Sequence, residues 1–137
     1  MINKTKPYSI IGVDLGEKGA GIAYSPDQKL VFYFTALHFQ TEAELITKLT
    51  EKVAEKNAKL VVFGLPLDKD QQTTKQSAWV KKVAKEFSKK SKLKIAFIDE
   101  YLTTWQAKQG AGQEFDKDQI DQEAAKIILE DYLETGI

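Results

Sequence analysis

Residues 8–25 read YSIIGVDLGEKGAGIAYS, in which two apolar runs flank the polar turn Gly16–Gly19. Apolar runs of this length around a glycine-bearing turn predict two strands, Tyr8–Leu15 and Ala20–Ser25. The first run contains Asp14, and an ionised side chain is costly there unless it is paired, hydrogen-bonded or bound to a metal. The stretch therefore predicts a strand hairpin that carries an acid where water is scarce.

The rest of the chain predicts one more strand and then alternating helices and strands. Thr41 precedes Glu44 at the spacing of a capping box, which marks a helix start. Further along the chain, the two glycines within Gln109–Gln113 predict a loop. The predicted elements are a strand at Leu30–Leu37, a helix at Thr41–Lys56, a strand at Lys59–Gly64, a helix at Thr73–Ser88, a strand at Leu93–Asp99 and a helix at Asp118–Glu134. This order predicts an α/β fold with a mixed five-stranded sheet, in which a three-strand antiparallel meander joins parallel crossovers and helices flank the sheet. It matches ribonuclease H-like domains, although a fold alone licenses no activity.

The composition restricts the class of protein. At 137 residues the chain has the size of one domain, and we predict a single domain over 1–137. It contains no cysteine, which excludes disulfides and thiolate chemistry and favours a reducing, cytoplasmic location. The apolar stretch after the charged start is too short for a signal peptide or a membrane span, so we expect neither export nor membrane insertion.

Charge is balanced overall but unevenly distributed. The net charge is zero, which argues against binding of polyanions by bulk electrostatics alone. All 20 basic residues are lysine, which lacks the bidentate fork of arginine. Within the lysine-rich segment 75–94, residues Lys81, Lys82 and Lys85 are candidate phosphate contacts, although a solvated helix face explains the same pattern.

Two further acidic positions resemble Asp14 in interrupting apolar segments. Asp99 and Glu100 close the apolar run Ile95–Ile98, and strand alternation points them to opposite sides, so only one can join a given site. Asp121 falls in the first turn of the last predicted helix, on its apolar stripe, and therefore faces the protein. Each acid also has a structural interpretation: a strand-end cap, an acidic turn, and a favourable charge at a helix start.

Taken together, the acids predict metal chemistry. The first strand, the last strand and the last helix of such a sheet can converge at one edge, and clustered carboxylate oxygens suit Mg²⁺ or Mn²⁺. Two such ions can activate a water and stabilise the leaving oxygen of a phosphodiester. The only histidine, His38, lies at a strand end, and we interpret it as a local packing residue. The acids therefore predict a metal site suited to phosphodiester chemistry.

Five motifs in a fixed order strengthen this interpretation: IGVDLGEK at 11–18, GIAYS at 21–25, VFGLPL at 62–67, IDEYLTT at 98–104 and DQEAA at 121–125. With these motifs, which cover nearly its whole length, the chain resembles the YqgF (RuvX) family. Members of that family are regarded as Holliday junction resolvases and as nucleases that mature the 5′ end of the precursor of 16S rRNA. The resemblance implies a metal-dependent endonuclease for structured nucleic acid, with pre-16S rRNA as the preferred substrate.

The resemblance also assigns roles to individual residues. The catalytic, metal-binding acids of the family fall on Asp14, Glu100 and Asp121, with Mg²⁺ or Mn²⁺ as the implied cofactor. Asp99 would be an auxiliary acid that orients a ligand. Lys18 matches a basic position in the first turn of the family and would contact substrate.

Other matched positions concern the shape of the site. Gly64 and Pro66 would shape the loop beside it, and Thr103 would cap a short helix that follows. The family commonly has arginine where this chain has Gly19 and Tyr101. The resemblance therefore implies intact metal ligands but two fewer phosphate contacts.

Three alternatives stay open. A Holliday junction resolvase would need a homodimer, because a symmetric four-way junction requires two active sites. A non-catalytic assembly factor would bind the small ribosomal subunit precursor through the 75–94 segment. An actin-like ATPase module shares the Val13–Gly16 pattern, but such proteins need two domains of this kind, and a single domain would leave a nucleotide without its second wall.

Overall fold

The described residues, 7–68, 70, 72, 74–101 and 116–135, form a mixed sheet with helices on both faces in this computed structural model. The elements in chain order are β1 (Ser9–Leu15), β2 (Gly19–Ser25), β3 (Phe32–His38), α1 (Glu42–Glu55), β4 (Ala58–Leu67), α2 (Lys75–Ser91), β5 (Lys94–Tyr101) and α3 (Lys117–Thr135). The strand order is β3-β2-β1-β4-β5. The first three strands form an antiparallel meander, and β4 and β5 run parallel to β1. The predicted fold class is confirmed.

Polar caps fix where two of the helices begin. The Thr41 hydroxyl accepts a hydrogen bond from the Glu44 N–H at 3.1 Å, and the Glu44 carboxylate accepts one from the Gln40 N–H at 2.8 Å. This arrangement confirms the predicted helix start, with the return bond one residue earlier than in a standard capping box. At the start of α3, Asp116 and Gln119 exchange two such bonds, at 2.8 and 3.2 Å. The helix that carries Asp121 is therefore anchored at its first turn.

Alternation along the strands separates two apolar layers. One layer, which includes Val13 and Phe63, packs beneath α1 and α2. The other, which includes Ile10 and Val62, packs beneath α3. Because successive strand residues point to opposite faces, Asp14, which follows Val13, faces α3.

Helix α3 lies close to the sheet because glycines form the surface beneath it. A β-carbon on Gly12 would stand 2.8 Å from the Leu129 β-carbon and 3.0 Å from the Ala125 carbonyl oxygen. A β-carbon on Gly21 would overlap the backbone carbonyl of Asp121. These positions need glycine for close approach, and the approach brings the start of α3 onto β1 and β2.

Strand β3 forms one edge of the sheet and is irregular. Its pairing with β2 shifts between Ile22 and Ala23, which leaves Phe34 as the extra residue of a bulge. Phe32 and Tyr33 on this strand are exposed. The β3 edge is therefore both bulged and aromatic.

Strand β4 is longer than the sequence predicted. The predicted end at Gly64 was wrong, because the strand continues to Leu67, and Gly64 and Pro66 are strand residues instead of loop residues. Strand β1 pairs with β4 only as far as Val13 and Phe63, whereas β5 pairs along its whole remaining length. Pro66 therefore occupies a stretch with one neighbouring strand, where the missing N–H costs little.

Other predicted boundaries shift by a few residues. Helix α2 begins at Lys75, after a cap in which the Thr74 hydroxyl accepts from the Ser77 N–H at 3.0 Å. Asp121 lies one turn inside α3 and not in its first turn, because that helix already begins at Lys117. The predicted loop at 109–113 lies outside the described residues. Within the described part of the chain, no helix is both long enough and apolar enough to cross a bilayer.

Candidate active site

Asp14 lies one residue before the end of β1, on the face that α3 covers. Its cross-strand neighbour is Gly21. Because that neighbour has no side chain, α3 approaches closely, and Asp14 is partly buried. The strand thus places a carboxylate beneath the start of a helix.

Asp121 is the helix-borne partner of this acid. It is buried, and its backbone carbonyl lies directly above Gly21. Its Oδ2 atom lies 3.7 Å from the point where a β-carbon on Gly19 would stand. Its Oδ1 atom accepts a hydrogen bond from the Lys117 ammonium at 2.6 Å, one turn earlier in the same helix. Two carboxylates and one ammonium therefore meet over the β1–β2 hairpin.

Burial and charge alter the chemistry of Asp14. Burial raises the pKa of its carboxyl from 3.8 to about 7, and the nearby negative charge of Asp121 acts in the same direction. The positive charge of Lys117 acts against both and lowers the pKa of Asp14. The Asp14 carboxyl therefore holds its proton to a higher pH than an ordinary aspartate, and a nearby cation favours the ionised form.

Glu100 lies on the same face of the sheet as Asp14. It is paired in register with Pro66, and its Cγ atom lies 3.1 Å from the point where a β-carbon on Gly64 would stand. The absence of a side chain at Gly64 therefore gives Glu100 room above β4. Asp99, the preceding residue, is exposed and by alternation points to the opposite face.

The three predicted acids are not equally close. Asp14 and Asp121 interact directly through their charges. Glu100 lies two strands from Asp14, about 10 Å, and by register two residues further along its strand, about 7 Å. Among the described residues, no three histidine, aspartate or glutamate side chains lie close enough together to hold one metal ion. The structure therefore brings two acids together and leaves the third on the same face at a distance.

The donor set nevertheless fits a hard divalent cation. Asp14 and Asp121 offer carboxylate oxygens, the ligands that Mg²⁺ and Mn²⁺ prefer. The site already accommodates a cationic group, because the Lys117 ammonium lies against Asp121. Asp14 and Asp121 would hold the metal, and a role for Glu100 as a third ligand stays a prediction.

The predicted substrate-binding lysines lie at different distances from these acids. Lys18 is exposed in the turn that follows β1, at the same end of the sheet as Asp14. Lys81, Lys82 and Lys85 are exposed on α2, which packs on the opposite face from α3. Lys82 is partly engaged, because its ammonium lies 3.1 Å from the Glu42 carboxylate. A substrate that touches these three lysines must pass around the end of the sheet where β1 ends to reach Asp14.

A cleft with both polar and apolar lining lies at the end of the sheet where β1 ends. Its volume is about 540 Å³, and its lining includes Glu17 in the turn after β1, Gln40 before α1, and Lys75 and Trp79 in the first turns of α2. The cleft is tied to β1, because the Gln76 side-chain amide donates to the Leu15 carbonyl at 3.0 Å. Lys75, the first residue of α2, therefore lies at the end of the sheet where β1 ends.

The interpretation of His38 as a packing residue was wrong. Its side chain is 68% exposed, and Nε2 lies 3.0 Å from an Asp118 carboxylate oxygen. His38 is the last residue of β3, and among the described residues no strand lies on the outer side of β3. Thr103, for which a capping role was predicted, lies outside the described residues.

Lys117 is the site residue that sequence reasoning missed. It precedes Asp121 by four residues, and residues at this spacing are neighbours on a helix surface. A helix start predicted one residue earlier would have made that signal readable from the sequence.

The family model RuvX, described as a Holliday junction resolvase, matches residues 8–135. The chain belongs to the RuvX (YqgF) family. A family relative from Prochlorococcus marinus, named "Putative pre-16S rRNA nuclease", is 31% identical over 136 residues, which cover 97% of this chain and 88% of the relative. A protein of the same name from Chloroflexus aggregans is 31% identical over 132 residues, which cover 92% of this chain and 93% of that relative. The resemblance drawn from the five motifs is confirmed.

Solved structures place this RuvX family chain in the ribonuclease H-like fold of resolvases. Thermus thermophilus RuvC, solved with a Holliday junction substrate, matches with a TM-score of 0.61 at 11% identity and covers 94% of this chain and 96% of RuvC. The Fowlpox virus resolvase, solved with Holliday junction DNA, matches with a TM-score of 0.54 at 13% identity, over 94% and 99% of the two chains. At such identities the likeness concerns the fold alone.

Proposed function

We propose that this chain is a divalent-metal-dependent endonuclease that processes the 5′ end of pre-16S rRNA. The proposal depends on the Asp14–Asp121 pair, in which an acid of β1 and an acid of α3 lie close together where the helix packs on the sheet. A protein selected only for stability gains little from two buried like charges, because each raises the cost of ionising the other. A function that binds a cation explains why both are present.

The residues divide the work as follows. Asp14 on β1 and Asp121 on α3 would hold the metal, and Glu100 on β5 would be the third carboxylate. When bound, Mg²⁺ or Mn²⁺ would activate a water and stabilise the leaving oxygen of the phosphodiester. Lys18, in the turn beside Asp14, contacts a backbone phosphate. An auxiliary role for Asp99 and a site-shaping role for Gly64 and Pro66 stay predictions.

The substrate assignment rests on the relatives. The Prochlorococcus and Chloroflexus proteins are named for pre-16S rRNA and match almost the whole of this chain. We therefore propose the precursor of the small ribosomal subunit as the partner and the cytoplasm as the location. Because lysine presents a point charge without a fixed fork, we expect backbone contacts that discriminate poorly between bases.

Cleavage assays test the proposal directly. Purified protein is incubated with a transcript that spans the 5′ end of 16S rRNA, in Mg²⁺, in Mn²⁺ and in chelator. We expect metal-dependent cleavage by the wild type, loss of cleavage in Asp14→Asn and Asp121→Asn, and retention in Asp118→Asn, an acid of the same helix that pairs with His38. Cleavage in chelator, or undiminished cleavage by Asp14→Asn, would contradict the proposal.

Metal location gives a test that does not depend on the substrate. Crystals soaked in Mn²⁺ should show anomalous scattering between Asp14 and Asp121, with Glu100 drawn toward the ion. Scattering at His38 and none at the acids would refute the assignment of the metal site.

Holliday junction cleavage is the second candidate, because the matching family model carries that description. The same assay with a four-way DNA junction separates the two substrates. Symmetric junction cleavage further predicts a homodimer by light scattering, whereas a monomer that cuts only the transcript favours RNA. A protein that binds the transcript and cuts neither substrate would be a non-catalytic assembly factor.

A further inference from the structure

Lys117 is the cation that the acidic pair already holds. Its ammonium lies 2.6 Å from Asp121 Oδ1. The side chain of Lys117 is 73% exposed, whereas that of Asp121 is only 9% exposed. The ammonium therefore reaches inward from solvent to a carboxylate that is otherwise enclosed by protein.

Helix stability does not explain this lysine. Lys117 is the first residue of α3, and a positive charge in the first turn opposes the helix dipole. The order is also unfavourable, because a lysine four residues before an acid stabilises a helix less than the reverse order. Local preferences thus disfavour lysine at this position, and its ion pair with Asp121 is the feature that compensates.

The same ammonium acts on the second acid of the pair. The charge of Lys117 opposes the effects of burial and of Asp121 on Asp14. One side chain therefore neutralises part of the charge of two carboxylates that come from different elements. This is the electrostatic task that a bound divalent ion would perform.

We propose that Lys117 is the resident counter-ion of the Asp14–Asp121 pair and that a divalent metal must displace its ammonium from Asp121 to bind. The inference rests on the proposed metal-dependent function. Lys117 is then a positioning residue that holds the acids in place before metal binds and sets how tightly metal binds. Its exposed side chain can swing into solvent, so displacement requires no movement of α3.

Metal affinity measured without nucleic acid tests the competition. Mn²⁺ binding is followed by calorimetry for wild type, Lys117→Met, Lys117→Arg and Lys126→Met. Lys126 is the matched control, because it lies in the same helix and pairs with Glu130 at 3.3 Å, four residues later. We expect Lys117→Met to bind Mn²⁺ several-fold to about tenfold more tightly than wild type, since a nearby positive charge is removed. Lys117→Arg and Lys126→Met should stay near the wild-type value.

Thermal melts in chelator test the counter-ion role independently of metal. Lys117→Met should melt at a lower temperature than wild type and Lys126→Met. Added Mn²⁺ should raise its melting temperature by more than it raises that of wild type, because metal replaces the missing charge. Equal melting temperatures of the two variants in chelator would overturn the counter-ion role.

The outcomes separate this inference from the proposed function. If wild type binds Mn²⁺ and Lys117→Met binds it equally or more weakly, the competition is refuted while the metal-dependent function stands. If neither protein binds Mn²⁺, the proposed function fails and the competition fails with it. If only Lys117→Met binds Mn²⁺, the competition is supported and the wild type is no metal enzyme under those conditions.

Discussion

Gly21 of β2 lies directly beneath the backbone of Asp121 in α3, with no space for a β-carbon between them. Gly21 is also the cross-strand partner of Asp14. A single position without a side chain therefore sets the distance between the two acids of the candidate site. The geometry of the site depends on a residue that has no functional group.

The first prediction follows from that close approach. Gly21→Ala should lower the free energy of unfolding by about 1–3 kcal/mol, because the added carbon overlaps backbone atoms that cannot rotate away. It should also weaken Mn²⁺ binding, since α3 must shift away from β1. Chemical denaturation and calorimetry measure the two effects. Wild-type stability together with wild-type metal affinity would contradict the close approach.

The second prediction concerns charge crowding in the absence of metal. Asp14→Asn should raise the stability of the protein in chelator at pH 7 by an amount on the order of 2 kcal/mol, because a buried carboxyl beside Asp121 is costly to ionise. The same variant should lose cleavage. Asp121→Asn should gain less, since it also removes the ion pair with Lys117. A large loss of stability in both variants would favour a structural role for the acids.

The third prediction is the pH dependence of that effect. The pKa of Asp14 is about 7 in the folded chain and ordinarily 3.8, so the folded state binds more protons between these values. Wild-type stability relative to Asp14→Asn should therefore fall as the pH rises from about 4 through 7, by at most about 1.4 kcal/mol for each pH unit. Melts of both proteins in chelator at a series of pH values across this window measure the difference. A difference that is constant across the window would show that burial of Asp14 has no such consequence.

The fourth prediction concerns how a polyanion is held. Replacing Lys81, Lys82 and Lys85 together by glutamine should weaken binding of the transcript and reduce the slope of log K against log salt by about 0.7–0.9 for each phosphate that is no longer neutralised. Cleavage at saturating substrate should survive, because these lysines lie on the opposite face from Asp14. The control replaces three exposed lysines of the same region that lie toward the other end of the sheet, namely Lys89, Lys90 and Lys94.

Equal effects of the two triple changes would mean that α2 contributes only general charge. No effect of either would identify the lysine face as solvated surface. Lys18 and Lys75, which lie at the end of the sheet where β1 ends, would then be the next residues to replace.

Much of the fold could be predicted because local signals agreed with the tertiary structure. The two apolar runs of the hairpin, the Thr41 and Glu44 cap and the apolar stripe that includes Asp121 each depend on residues that are close together in the sequence. The continuation of β4 through Pro66 could not be predicted, since it depends on where β1 stops. The distance of Glu100 from the acidic pair is likewise a matter of strand order and register, which motifs along the chain do not encode.

The bulge in β3 has a consequence for self-association. In the part of the chain that the structure describes, β3 is an edge strand, and such a strand offers backbone N–H and C=O groups to another chain. Its exposed Phe32 and Tyr33 add apolar surface that favours association. The extra residue at Phe34 interrupts the regular spacing of those groups and increases the local twist. An incoming strand could match only a short part of such an edge, so the irregularity disfavours the growth of intermolecular sheets from β3.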